Sequence, residues 1–345
     1  MNIHSNALSL ALDSNSTMLP CLRHCTLIEQ ASTNVLRMVV GAEHFDISPL
    51  DDCGKLLRRS KRYFDGCHSV REASERLDVP EADIRALAGQ FAELKLFRDP
   101  SPIDRIPVRD FIRRIEQANI SWSQQVGYHK LFGMLENGLV PKEVFQGLFL
   151  ETYHYVLSAS RHISTAIAAC RQPAWSTVLS TYLTEEHDHA PLVLETLERM
   201  GFAKSEVTDS NPTSGTLALT QLLCDIARNS TLAYFVAMSF VEARAEDADR
   251  GVASLRSLCE RYGYAADCVE PLLSHMLQDV AAGHTGLLEQ ALDRSESIEI
   301  AEADYVVNCL HDLKHAFDLF HDQIISYYSG VTNFIPRRKV DYRAL

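Results

Sequence analysis

The chain lacks three features that would place it at once in a structural class. No stretch reaches the ~18 consecutive apolar residues of a membrane-spanning helix, and no secretory apolar segment opens the chain. Its nine cysteines form no paired framework, because the local motif CLRHC (residues 21–25) has no second pair at zinc spacing. These absences argue against a membrane protein and a disulfide scaffold, and we expect free thiols in a reducing cytoplasm.

Positive charge is also scarce. Lys and Arg number 33 against 46 Asp and Glu, which gives a formal net charge of −13. This surplus of negative charge argues against broad binding to nucleic acids or membrane surfaces. Hydrophobic residues make up 46% of the 345 positions, enough for a folded core. The length predicts one large and one small domain, or two domains of moderate size.

Composition changes along the chain and indicates five segments. Residues 1–19 are rich in Ser and Asn and predict a flexible arm. Residues 20–98 predict a small domain, and residues 99–107, which hold three prolines, predict a linker. Residues 108–330 predict a helical domain, and residues 331–345 an irregular C-terminal tail.

The small domain combines strand and helix signals. β-Branched and aromatic residues in LRMVVGAEHFDI, interrupted by Gly41-Ala42, predict a short hairpin. Three helices follow: one over DDCGKLLRRSKRYF, one that starts with a capping box of Ser69 and Glu72, and one with Pro80 at its first position. This order of elements predicts a winged-helix-like α+β module.

Beyond residue 108 the apolar residues recur with the 3.6-residue period of a helix. The loops between the periodic segments are short and carry Gly or Pro. The predicted helices cover residues 109–120, 123–136, 141–170, 174–200, 215–243, 247–262, 265–292 and 302–329. The fold class is therefore mainly α, with a helical bundle after the small domain.

Three of these helices carry side chains that bind metals well. Glu186 and His189 are three positions apart and so share a helix face, and Glu242 ends a strongly apolar run. His275 and Asp279 lie ~40° apart around a helix, whereas His284 faces the opposite side unless a π-bulge adds a residue. Mixed carboxylate and imidazole donors favour iron or manganese over zinc. The candidate metal ligands are Glu186, His189, Glu242, His275, Asp279 and His284.

Each motif alone has a simpler explanation, because a single Glu-x-x-His pair usually lies solvated on a helix surface. Glu151 and His154 form a second such pair, which a ferritin-like layout would recruit. His311 and His315, four residues apart, are expected on a polar helix face. What favours a metal centre is the presence of three motifs on successive helices with apolar flanks.

Residues 125–329 resemble the haem-oxygenase-like diiron oxidases and oxygenases, also called iron-containing redox enzymes. The resemblance rests on Glu-x-x-His, then a single Glu, then His-x-x-x-Asp followed by His, in this order and with long gaps. HKLFGMLENGLVPKEVF and ERMGF are similar to the opening helices of that family. The last histidine, His284, comes two residues late, and Ala282 holds its usual place.

The resemblance implies a haem-oxygenase-like seven-helix bundle in which the six candidate ligands bind two Fe(II) ions per chain and are the catalytic residues. It implies O2 as co-substrate and oxidation of a small molecule by C–H oxidation, desaturation, N-oxygenation or oxidative bond cleavage. We expect an amino acid or amino-acid-derived substrate, free or carried by a peptide, in natural-product biosynthesis. Arg161 and Arg244 are candidates to hold its carboxylate, and Tyr153, Tyr155 and Tyr182 line the pocket or pack the core.

Residues from about 35 to 98 resemble the small domains that bind leader peptides in ribosomal-peptide modification, including the pyrroloquinoline-quinone peptide chaperone. In those domains the peptide adds a strand to a sheet edge. A basic cluster lies on the first predicted helix and would attract an acidic peptide, face DNA, or form a solvated helix face. We expect no nucleic-acid or membrane partner, and a homodimer fits the bundle. The cluster comprises Lys55, Arg58, Arg59, Lys61 and Arg62.

Three other functions compete with a diiron enzyme. A cofactorless or hydrolytic enzyme of the same fold would use Glu186 and His189 as acid and base. A peptide-binding carrier would use the bundle as a scaffold and bind no stoichiometric metal. A transcription regulator would use the basic helix on DNA, with a steep dependence on salt.

Overall fold

Helices form most of the chain, which divides into two units, Met1–Ile103 and Asp104–Leu345. The computed structural model describes residues 2–3, 19–30, 33–41, 43–49, 53–98, 105–242, 245–274, 286–292 and 296–344, with the backbone alone for 2–3, 245–250 and 344. The predicted fold class, mainly α after a small α+β unit, is confirmed.

The first unit contains a four-stranded sheet with the strand order β1-β4-β3-β2. Its strands are β1 (Asn2–Ile3), β2 (Thr26–Gln30), β3 (Val35–Val40) and β4 (Glu43–Ile47). β3 and β4 form the predicted hairpin, and at its turn Gly41 has φ +60°, a conformation that glycine adopts without steric cost. β2 pairs antiparallel with the other side of β3, and β1 runs parallel to β4.

The described residues of this unit also form three α-helices, α1 (Lys55–Ser60), α2 (Val70–Leu77) and α3 (Glu81–Glu93). The predicted capping box is confirmed: Ser69 Oγ accepts from the Glu72 backbone N–H at 3.2 Å, and Glu72 Oε2 accepts from that of Ser69 at 2.8 Å. α3 begins one residue later than predicted, so that Pro80 is its cap. Buried strand residues such as Met38 share one apolar core with Phe91 of α3.

The basic cluster is largely engaged in contacts within its own unit. Arg58 lies 2.5 Å from the Glu29 carboxylate on β2. Arg59 donates to the backbone carbonyl of Leu77 at the end of α2, and Lys61 Nζ donates to the carbonyl of Cys25 at 2.8 Å. These side chains therefore connect α1 and the 3₁₀ helix after it (Lys61–Tyr63) to β2, Cys25 and α2, although Arg58 and Arg59 are exposed to solvent.

The second unit is a helical bundle with one two-stranded sheet, β5 (Arg105–Pro107) and β6 (Ser297–Glu299). Its described α-helices are α4 (Val108–Gly127), α5 (Lys130–Glu136), α6 (Lys142–Leu157), α7 (Ala159–Ala169), α8 (Pro173–Glu186), α9 (Ala190–Arg199), α10 (Lys204–Thr208), α11 (Ser214–Asn229), α12 (Thr231–Val241), α13 (Ala245–Arg261), α14 (Leu287–Ala291) and α15 (Ile300–Tyr328). One continuous hydrophobic core fills this bundle.

Three long helices that we predicted as continuous are each interrupted in the structure. The helix predicted over 141–170 divides at Ser158, and the one over 215–243 divides at Ser230. Ser230 has an extended backbone, and its hydroxyl accepts from the Ala233 backbone N–H at 3.0 Å, which starts α12 anew. The helix predicted over 174–200 is interrupted at residues 187–189.

Glu151 is buried in α6 and stabilises the start of α11. Its Oε2 accepts from the backbone N–H of Thr213 at 3.0 Å, from the Thr213 hydroxyl at 3.1 Å and from the Thr216 hydroxyl. Its Oε1 accepts from the Tyr328 hydroxyl at 2.6 Å. Its neighbour in the motif, His154, contacts Ser210 Oγ at 2.8 Å. The second Glu-x-x-His pair therefore satisfies structural hydrogen bonds.

Candidate metal centre

Glu186 and His189 meet although they do not share a helix. Glu186 is the last residue of α8 and His189 is the N-cap of α9. Pro191, in the first turn of α9, lacks a backbone N–H and would clash with the carbonyl four residues earlier, which explains the interruption. Even so, His189 Nδ1 lies 3.1 Å from Glu186 Oε2, and both side chains are about 7% exposed or less.

Glu242 follows α12, the most apolar helix of the bundle, in which residues 232–240 are all buried. The backbone turns to an extended conformation at Glu242, which leaves its side chain partly buried at the end of the helix. The Tyr182 hydroxyl donates a hydrogen bond to Glu242 Oε1. Tyr182 is four residues before Glu186 on α8, so both lie on one face of that helix.

Tyrosines line the region around the two carboxylates. Burial raises the pKa of Tyr155, and the charges of Glu242 and Glu186 raise it further. Burial also raises the pKa of Tyr182 and of Tyr234, with the same two carboxylates adding to the effect. The phenols therefore stay protonated, and their O–H groups are available to donate to carboxylates.

His162 also belongs to this region, although it was not among the predicted site residues. Its Nδ1 lies 2.6 Å from the Tyr234 hydroxyl, and both residues are buried. Burial lowers the pKa of His162 to about 4, while the charge of Glu186 acts in the opposite direction. The ring is therefore neutral at pH 7. Its position in the helix could have indicated that it is buried, because Ala159, Ile163 and Ala166 lie on the same buried face of α7.

The other predicted site residues fall in two groups. His275, Asp279, His284 and Arg244 lie outside the described residues. Arg161 is exposed on α7 and donates to Gln221 Oε1 on α11 at 2.8 Å, which gives no support to a role in holding a carboxylate. Within the described ranges, no group of three or more His, Cys, Asp or Glu side chains is arranged to hold a metal ion.

His311 and His315 lie together on α15, with ring centroids 4.5 Å apart. The ring of His311 also packs against Trp122, at 5.3 Å between centroids. His315 is exposed and lies 3.5 Å from the Asp318 carboxylate. Ring packing and an ion pair are therefore among the contacts of these two histidines. In the described part of the chain, no helix is long and apolar enough to cross a membrane.

Comparison with solved structures shows the fold. A protein from Shewanella denitrificans OS217, described as a domain of unknown function with a heme oxygenase-like fold, is 16% identical with a TM-score of 0.52, covering 65% of this chain and 94% of that one. A TenA family transcription regulator from Silicibacter sp. TM1040 is 12% identical (TM-score 0.46, 63% and 96% covered). A TenA homologue from P. horikoshii OT3 is 13% identical (TM-score 0.46, 64% and 99% covered).

Sequence comparison finds one family that part of the chain matches. No curated protein matches the chain. Residues 146–312 match the family described as iron-containing redox enzyme. This range begins in α6, ends in α15 and includes all six candidate ligands. The helical unit of this chain therefore has the haem-oxygenase-like fold, and its residues 146–312 are similar to the family of iron-containing redox enzymes.

Proposed function

We propose that this protein is a non-haem diiron oxidase or oxygenase that uses O2 to oxidise an amino acid or amino-acid-derived substrate. The reaction would be a C–H oxidation, a desaturation or an oxidative bond cleavage. The observation that supports this most strongly is the meeting of Glu186 and His189 in a buried region next to Glu242. Buried ionisable side chains that converge from separate helices are typical of a functional site. The family description, iron-containing redox enzyme, is the second support.

The donor set and its spacing fit an iron site. Two ligand atoms at right angles around one ion, each ~2.1 Å from it, lie about 3 Å apart. The His189 Nδ1 and Glu186 Oε2 atoms are separated by 3.1 Å. Carboxylate and imidazole donors suit iron, and helical bundles hold two irons with such residues from several helices. Glu186, His189 and Glu242 would hold the metal with His275, Asp279 and His284.

The chain's own residues then have separate tasks. Tyr182 orients the Glu242 carboxylate through its hydrogen bond, as outer-shell groups do for metal ligands. The apolar side chains of α12 exclude water from the carboxylates. Tyr234 and His162 form an uncharged, hydrogen-bonded pair beside the carboxylates. Iron bound here would supply the electrons that activate O2 and would orient the substrate.

A peptide-carried substrate has one structural support. Among the described strands of the first unit, β2 pairs on one side only, with β3, so its other side is an edge to which an extended peptide can add. Ile28 on this strand is 46% exposed. We therefore propose a free amino acid, or a peptide that binds along β2, as the substrate class. O2 consumption measured with amino acid pools, and then with peptide pools, distinguishes the two.

The test of the diiron centre is an anaerobic Fe(II) titration of the metal-free full-length chain, followed by admission of O2. We expect about two irons per chain and a transient visible absorbance on mixing with O2. Glu186→Gln and His189→Ala should abolish both. Their neighbours provide matched controls, because Glu185 and His187 are exposed: Glu185→Gln and His187→Ala should bind iron as the wild type does.

Two results would contradict the proposal. If the wild type binds no iron, the metal centre is wrong and a peptide-binding carrier becomes the better explanation. If substrate turnover continues in chelator and without O2, a cofactorless enzyme that uses Glu186 and His189 as acid and base replaces it.

A further inference from the structure

Two buried cysteines lie in contact at the end of α13. Cys259 lies in the last turn of α13, and Cys268 lies in a 3₁₀ helix, Ala266–Val269. Their Sγ atoms are 3.4 Å apart, and the residues are 0% and 4% exposed. A disulfide requires ~2.05 Å between the sulfurs, so closing the bond needs a movement of little more than 1 Å.

The turn between the two cysteines is fixed at both ends. The Tyr264 backbone N–H donates to the Cys259 carbonyl at 2.8 Å, and Gly263 supplies the positive φ of +78° that reverses the chain. On the other side, Arg199 of α9 donates to the carbonyl of Asp267 at 3.2 Å. The short separation of the thiols is therefore built into the packing of α13, the turn and α9.

We propose that Cys259 and Cys268 form an oxidation site at which a hydroperoxide, such as H2O2, produces an intramolecular disulfide. In the first step the sulfur of Cys268 attacks one peroxide oxygen, the O–O bond breaks, and a sulfenic acid and water (or an alcohol) form. In the second step the sulfur of Cys259 attacks the sulfenic sulfur, the S–O bond breaks, and a second water leaves. The two thiols lose two electrons in total, and the peroxide gains them.

The surroundings indicate which thiol reacts first. Burial raises the pKa of both thiols. For Cys268 the contact with the Cys259 thiol and the charge of Arg199 lower the pKa, whereas the charge of Asp267 adds to the rise. For Cys259 the neighbouring thiol adds to the rise. Cys268 therefore loses its proton more readily than Cys259 and attacks the peroxide. Cys259 then reacts with the sulfenic acid. Burial makes the first step slow, whereas the second is intramolecular and fast.

The position of the pair connects it to the metal motif. Cys268 precedes His275 by seven residues, and the chain between them is helical over residues 270–274. A disulfide would tie the end of α13 to the start of the segment that carries the last three candidate ligands. An effect on iron uptake rests on the proposed function, but the oxidation site itself does not.

The test uses the metal-free, fully reduced full-length chain, treated with H2O2 and then denatured for thiol counting and peptide mapping. We expect the wild type to lose two thiols per chain, with Cys259 linked to Cys268, and dithiothreitol to restore both. Cys259→Ala should stop at a sulfenic acid on Cys268 that dimedone traps. Cys268→Ala should leave Cys259 reduced. Cys224 is equally buried, and Cys224→Ala should form the wild-type disulfide.

Either of two results would overturn this proposal. One is that Cys259 and Cys268 remain reduced at a peroxide dose that fully oxidises the exposed Cys67. The other is a cross-link that maps to a different pair of cysteines. Because no iron is present in this experiment, its failure is independent of the iron titration, and a failed titration leaves the disulfide result standing.

Discussion

His189 Nδ1 lies 3.1 Å from Glu186 Oε2 although the helix that carries Glu186 ends at that residue. The contact keeps the i, i+3 spacing from which we predicted it, because a turn over residues 187–189 follows α8 and the His189 backbone N–H donates to the Glu186 carbonyl at 3.4 Å. The predicted continuous helix is interrupted there, and α9 begins next to Pro191. A site that spans two helix ends can adjust its donor spacing more freely than one on a rigid helix face, which would suit the iron centre proposed above.

Tyr182→Phe should weaken iron binding without unfolding the protein. The substitution removes the hydrogen bond to Glu242 and keeps the ring. Loss of an outer-shell hydrogen bond typically reduces metal affinity by about 10-fold or more, and we expect a reduction of this size in the anaerobic titration. Tyr305→Phe provides the control, because Tyr305 is 43% exposed. Equal affinity in Tyr182→Phe and wild type would remove Tyr182 from the centre.

Glu151→Gln should lower stability and leave iron binding unchanged. The Glu151 carboxylate accepts four hydrogen bonds, and an amide in its place presents an N–H₂ group to at least one of these donors. We expect a loss of about 2 kcal/mol in the free energy of unfolding, measured by urea denaturation of the metal-free chain. Glu143→Gln, at an exposed position of the same helix, should have little effect. A loss of iron in Glu151→Gln would instead identify this residue as a ligand.

Gly147→Ala tests the packing that holds the Tyr328 hydroxyl on Glu151. A Cβ at position 147 would collide with the Tyr328 ring, which is fully enclosed. We expect a loss of about 1–3 kcal/mol in the free energy of unfolding. At Gly133, also helical, an added Cβ meets nothing within 4 Å, so Gly133→Ala should gain up to about 1 kcal/mol. Equal effects at the two glycines would contradict the packing described here.

The sequence predicted elements whose cause is local. The Ser69–Glu72 capping box is confirmed because its two hydrogen bonds join residues three apart. The hairpin around Gly41 is confirmed because alternation and a glycine turn fix its register. Strand β2 was missed because TLIEQ has only two apolar residues and acquires its partner, β3, by tertiary pairing.

Features that depend on tertiary contacts were harder to predict. The 3.6-residue period continues across Ser230 and residues 187–189, because both flanking helices bury the same face, so one helix was predicted where two exist. Arg161 and His162 are adjacent, and periodicity alone does not show which of the two faces the carboxylates. The contact of Cys259 with Cys268 depends on a turn anchored by a separate helix, α9.

His321 should make the protein less stable as the pH decreases. Its ring is buried between Phe132 and Phe320, and within the described residues its Nδ1 has no hydrogen-bond partner. Burial, together with the charge of His129, lowers the pKa of His321 to about 4, although the carboxylates of Asp318 and Asp322 act in the opposite direction. In the unfolded chain the pKa of this histidine is about 6.5. The unfolded state therefore binds more protons than the folded state between about pH 6.5 and pH 4. Stability is present above this window and is lost as the pH falls through it.

The measurement is urea unfolding of wild type and His321→Phe between pH 7 and pH 4. His321 alone should account for a loss of roughly 3 kcal/mol in wild type across this range, and His321→Phe should lack that part. Burial also lowers the pKa of His154 and of His162 to about 4, so these residues keep part of the slope in the variant. His315→Phe, at an exposed position, should retain the wild-type slope. An unchanged slope in His321→Phe would mean that this ring is protonated in the folded protein, and that Asp318 and Asp322 outweigh its burial.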